Sequence, residues 1–160
     1  MKKLMLLITV LIFTSQASFA ESNSDCNQKL YDKTFKFLLM YESNFKVRSK
    51  DYRYTVVTFE NTDSYKKTLS HLDYAKHINE SIKMTVSQKQ EFKMLKKQFE
   101  TSENNFRYFA NECWKTEANS ARKLMRFAIN YGKDVDKIID KLDKIKMKYE
   151  LLIESLSETK

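Results

Sequence analysis

Proline is absent from this 160-residue chain and glycine occurs once, at Gly132. A phosphate-cradling loop, a dinucleotide fingerprint and a G-x-S-x-G nucleophile turn each need several glycines, so those chemistries are excluded. Tight hairpins draw on glycine as well, which argues against a many-stranded sandwich or barrel. Histidine is scarce too. His71 and His77 fall on different faces of a helix and cannot chelate one metal from a single turn. Neither cysteine belongs to a C-x-x-C or C-x-x-C-H motif, so a redox pair and covalent haem are also missing. With 42% apolar and 13% aromatic residues the chain is nonetheless built to fold, and its length fits one domain with a real core.

The first twenty residues read as an address. Met1-Lys2-Lys3 opens with charge, residues 4–13 are apolar apart from Thr9, and Ser18-Phe19-Ala20 sets small residues before a cut. This is the pattern of a secretory signal peptide. The apolar run is shorter than the roughly twenty residues of a membrane span. Cys26 lies beyond the polar Ser22-Asn23-Ser24-Asp25, too far along for lipid attachment at the cut. The expected organisation is therefore a signal peptide over 1–20, cleaved after Ala20, and a single helical domain over 21–160 in the periplasm. Lys2 and Lys3 leave with the signal, and the exported chain stays basic. Two cysteines in an exported protein form one disulfide, Cys26–Cys113, structural and not catalytic.

Beyond residue 60 the hydrophobic period is helical. Phe92, Leu95, Phe99, Ser102, Phe106, Phe109 and Cys113 advance alternately by three and four, a seam for another helix. Ala121, Met125, Ala128, Gly132, Val135, Ile139 and Leu142 repeat the pattern, and the seam moves on to Ile145, Tyr149, Leu152 and Leu156. Ala121, Ala128 and Gly132 are small enough to admit a close neighbour. Thr85-Val86-Ser87-Gln88 has the form of a capping box, and Asn61-Thr62-Asp63 offers short polar caps. Four helices are expected, over 25–48, 63–84, 86–115 and 117–157. Residues 49–61 carry aromatic and β-branched side chains that suit extended chain, while Tyr52, Val56 and Phe59 continue the helical seam. A disulfide needs its Cα atoms within about 6–7 Å, which demands an even number of traverses between Cys26 and Cys113. The fold class expected is thus all-α, a four-helix bundle with a crossing segment between helices 1 and 2 and one disulfide.

The side chains that bear chemistry are dispersed. Asp134, Asp136, Asp140 and Asp143 interleave with Lys133, Lys137, Lys141, Lys144 and Lys148, the pattern of a solvated helix face laced by ion pairs. Glu42, Glu91, Glu100 and Glu112 have no histidine at a useful interval. His77 and Met84 share a face, so a b-type haem carrier is a distant alternative. No catalytic group, metal or cofactor is expected.

Basic residues cluster at Lys46, Arg48, Lys50 and Arg53, at Lys89, Lys93, Lys96 and Lys97, and at Arg122, Lys123 and Arg126. Export removes nucleic acid as a partner and leaves an envelope protein or an anionic envelope surface. The first cluster adjoins Tyr52 and Tyr54, and tyrosine with arginine is the composition of binding hot spots. Lys46, Arg48, Lys50, Tyr52, Arg53 and Tyr54 are therefore the candidate partner-binding residues.

Met84-Thr85-Val86-Ser87-Gln88-Lys89-Gln90 resembles the Leu-Thr-x-x-Gln stretch of small periplasmic helical chaperones. The stretch Phe106-Arg107-Tyr108-Phe109-Ala110-Asn111-Glu112-Cys113 resembles the Cys-terminated end of helical lysozyme-inhibitor-like domains, with Phe in place of Trp and no Arg-Asp pair. Each likeness is local, and neither assigns the chain to a family. The expected function is an exported, non-enzymatic binding protein, an immunity or inhibitor protein that neutralises an envelope-acting enzyme or toxin. The alternative is a chaperone-like or envelope-binding helical protein.

Overall fold

The computed structural model describes Cys26, residues 28–113 and residues 118–158. The expected signal peptide and the start at Glu21 lie outside them. The described chain is helical and contains no strand: α1 is Gln28–Glu60, α2 Thr62–Thr68, α3 His71–Tyr108 and α4 Ala118–Glu158, with a π-helical turn at Phe109–Cys113 between the last two. An interior proline would break such helices, and its absence lets three of them run for 33, 38 and 41 residues.

Two expected boundaries are corrected. Residues 50–59 are helical and belong to α1, so no separate crossing segment follows a first helix. Packing overrides the β-leaning composition: Tyr52 lies edge-on to Phe92 at 6.3 Å, and the buried Thr55 hydroxyl donates to Gln88 Oε1 at 2.8 Å. Serine and threonine hydroxyls along α1 bond back to the preceding turn, Ser49 to the Phe45 carbonyl among them.

The second correction concerns the expected start at Thr85. Thr85 lies inside α3, buried, its hydroxyl donating to the Ser81 carbonyl at 2.7 Å. The break comes earlier, at Leu69 and Ser70. Ser70 has an extended backbone, its Oγ accepts from the Asp73 amide at 3.2 Å, and its hydroxyl donates to the Asp73 carboxylate at 2.6 Å. Ser70 thus caps the helix as expected of Thr85, while Asp73 reaches back to the Ser70 hydroxyl and not to its backbone amide. Asn61 precedes α2 without a side-chain cap; its amide donates to the Val57 carbonyl instead.

Cross-helix partners give the topology. Arg48 with Glu91, Phe45 with Phe92 and Tyr31 with Phe106 set α3 antiparallel to α1. Lys89 with Asp143 and Lys96 with Asp136 set α4 antiparallel to α3, and Phe59 with Tyr149 makes α1 and α4 parallel. The ends marked by Cys26 and Cys113 are therefore separated by two long traverses, α1 and α3, and meet. The two cysteines lie side by side and are unbonded. Cys26 also donates to the Glu112 carbonyl at 3.7 Å.

The main core joins Leu38 of α1 with Phe92, Leu95, Phe99 and Phe106 of α3 and Ala121, Ala128, Val135 and Leu142 of α4. Phe45 enters edge-on to Phe92, Phe99 and Tyr131, and Tyr131 stacks on Phe99 at 5.1 Å. A second cluster of Tyr74, Ile78, Ile145 and Tyr149 fills the far end. Ala121 and Ala128 are fully packed, as small seam residues should be. Gly132 is not: a Cβ placed there meets nothing within 4 Å. Gly132→Ala should accordingly stabilise the protein by about 1 kcal/mol through helix propensity alone, read as a higher midpoint in urea unfolding.

Candidate partner-binding face

A helix turns about 100° per residue, so residues adjacent in sequence part company across it. This divides the six expected binding residues. Arg48 and Tyr52 lie on the side of α1 that meets α3, both half-buried. Arg48 is ion-paired with Glu91 of α3. Tyr52 is half-buried against Phe92, and burial raises its hydroxyl pKa above the ordinary value. Tyr52 thus serves packing, and Arg48, its side chain 37% exposed, spans the edge between α1 and α3.

Lys46, Lys50, Arg53 and Tyr54 remain on the outside, with Tyr54 66% exposed. Lys46 pairs with Glu42, which also accepts a 3.0 Å hydrogen bond from the Tyr131 hydroxyl. The Lys46 ammonium, more than Tyr131, holds the Glu42 carboxyl below its usual range. Burial first and Glu42 second raise the Tyr131 hydroxyl. Lys50 and Arg53 make no ion pair among the described residues.

The structure adds residues that the composition of one short segment concealed. Met40, Val47 (58% exposed) and Val57 (52% exposed) lie on this same outer face, with Phe35 and Leu39 beside its start. Met40, Ser43, Val47, Lys50, Tyr54 and Val57 advance alternately by three and four. The inward stripe through Leu38, Tyr41, Phe45, Arg48, Tyr52 and Thr55 does the same two residues earlier. An offset of two is about 200° around the helix, so α1 carries two heptad stripes on opposite sides. One is buried against α3 and α4, and the other is bare. The signal was present in the sequence, in the repeat of Met40, Val47 and Tyr54 at sevens.

Other candidates are less continuous. Leu72, Met94, Tyr108 and Met147 are exposed apolar residues set apart on α3 and α4, the ordinary condition of a protein surface. A shallow groove of about 500 Å³ lies between the end of α1, α2 and α4, lined by Phe59, Asp63, Lys148, Leu151 and Leu152 among others. Lys89 and Lys96 from the second basic cluster are spent on Asp143 and Asp136 across the α3–α4 seam. The α4 aspartates therefore serve mainly between helices, although Asp134 does pair with Lys137 along its own helix.

The His77 ring rests against Tyr65 at 4.6 Å, and its Nε2 is enclosed without a hydrogen-bond partner, as are the Tyr74 and Tyr149 hydroxyls. Among the described residues no three His, Cys, Asp or Glu side chains converge as metal ligands, and no helix is long and apolar enough to cross a membrane. Compared with protein-family models, curated proteins and solved structures, the chain matches none.

Proposed function

We propose that this is an exported, non-enzymatic binding protein of the periplasm, an immunity or inhibitor protein that neutralises an envelope-acting enzyme or toxin through the outer face of α1. The observation that carries the reading is the bare second heptad stripe on a helix seated from behind by Phe45, Arg48 and Tyr52. Such backing presents Lys50, Arg53 and Tyr54 on a rigid support, so little ordering entropy is lost when a partner docks. Oxidation of Cys26 and Cys113 to a disulfide completes the proposal. It would tie the first residues of α1 to the end of α3 and close the helices into a locked bundle.

The two faces of α1 should separate in mutagenesis. Arg53→Ala removes an exposed guanidinium that pairs with no carboxylate among the described residues and should weaken the partner by about 2 kcal/mol or more with thermal stability unchanged. Arg48→Ala removes the Glu91 pair and should leave the partner's affinity nearly intact, with a stability loss of about 1 kcal/mol or less. The measurement is pull-down of one stoichiometric partner from an envelope extract, followed by calorimetric titration and thermal unfolding of each variant. Equal affinity of Arg53→Ala and wild type would remove this face from the interaction. Recovery of many unfolded clients in place of one partner would favour the chaperone-like reading.

A further inference from the structure

We infer that the partner meets α1 with an acidic amphipathic helix, paired along the 40–57 stripe as two helices pair in a coiled coil; this rests on the outer face of α1 being the contact surface. Six positions alternating by three and four over about 26 Å, or five turns, are the seam that another helix fits. A sheet edge or an irregular loop has no such period. The polar residues give the sign. Lys50 stands within the seam, and Arg53 stands on one flank, where coiled coils place their partner-selecting charges, seven residues after Lys46, which is paired with Glu42. Among the described residues Lys50 and Arg53 have no carboxylate paired with them, so a matching flank with Glu or Asp complements them.

The same charges disfavour the other occupants. A second copy packed antiparallel, with Val47 opposite Lys50, would set Lys46 against the other copy's Arg53, twice by symmetry. Packed parallel, it would set Lys50 against Lys50. A membrane surface would take a continuous apolar face, whereas Ser43 and Lys50 interrupt this one and Asp51 borders it.

The test uses the full chain with a benzophenone amino acid at position 47, illuminated in an envelope extract, and the same label at position 147 of α4 as control. The cross-linked segment is sequenced, synthesised and titrated. The expected segment has apolar residues at intervals of three and four with flanking Glu or Asp. Arg53→Glu should weaken its binding by about thirtyfold, and a Glu→Lys or Asp→Lys change on the peptide's facing flank should recover most of that. A cross-link to a second copy, or to phospholipid, overturns the proposal. A basic or extended segment of one specific protein overturns the acidic helix while the contact surface stands. Labelling no stronger at position 47 than at position 147 overturns both.

Discussion

Replacing Cys26 by serine is expected to lower the stability of the oxidised protein by about 4–5 kcal/mol, the chain-entropy value for a loop of this length and an upper bound for real bridges. The two cysteines end antiparallel helices, and they are already adjacent, so bridge formation asks for little backbone movement. Cys26 is exposed; serine there opens no cavity, and the loss reports the bridge itself. The thiols give a second reading. In the reduced protein burial, and next the neighbouring Cys26, push Cys113 from its ordinary 9.0 up to about 11. The unfolded chain therefore releases this proton first as pH rises. The stability contributed by the protonated thiol is whole below about pH 9 and is lost as pH climbs towards 11. The bridged protein has no such proton, so the difference between oxidised and reduced unfolding curves should widen over that window. Identical urea midpoints for oxidised wild type and Cys26→Ser, or two free thiols per chain in protein folded under oxidising conditions, would refute the bridge.

The helical class was legible because the seams through Phe92, Phe99 and Phe106 and through Ala121, Ala128 and Val135 are long, and only a helix repays that period. The parity of the traverses between Cys26 and Cys113 was legible but their number was not: two long helices supply the even count, with no separate crossing of 49–61. The helix boundaries were not. Thr85-x-x-Gln88 and Ser70-x-x-Asp73 are local signals of similar form. The choice between them is made by burial: Thr85 is enclosed, and Gln88 is taken by Thr55 of α1. Residues 50–59 carry both an extended-chain composition and the helical seam of Tyr52, Val56 and Phe59, and the helix prevails because Tyr52 and Thr55 have partners on α3. The same winding divides the candidate binding residues. Taken as a string, 46 to 54 is one basic-aromatic cluster. Wound at 100° per residue, it gives two faces, and the outward one then runs on to Met40 and Val57.

Phe99→Ala should cost about 3–5 kcal/mol, the range for deleting a buried aromatic ring. Phe99 is fully buried where α1, α3 and α4 meet, with Tyr41, Phe45 and Tyr131 around it at ring distances of 6.3, 6.4 and 5.1 Å. All three neighbours are aromatic and held by further contacts, so the space cannot close by a simple slide, which puts the cost towards the upper end. Tyr131, whose hydroxyl bonds Glu42 and through it steadies Lys46 at the edge of the outer face, loses the stack but keeps its contacts with Phe45 and Phe127. Phe99→Leu keeps most of the volume and should recover more than half of the loss. The two variants, unfolded in urea alongside wild type, therefore test how α1 is seated. A cost below about 1 kcal/mol for Phe99→Ala would mean that α1 does not rest on α3 and α4 through these rings. The bare stripe on its other side would then have no fixed support from which to meet a partner.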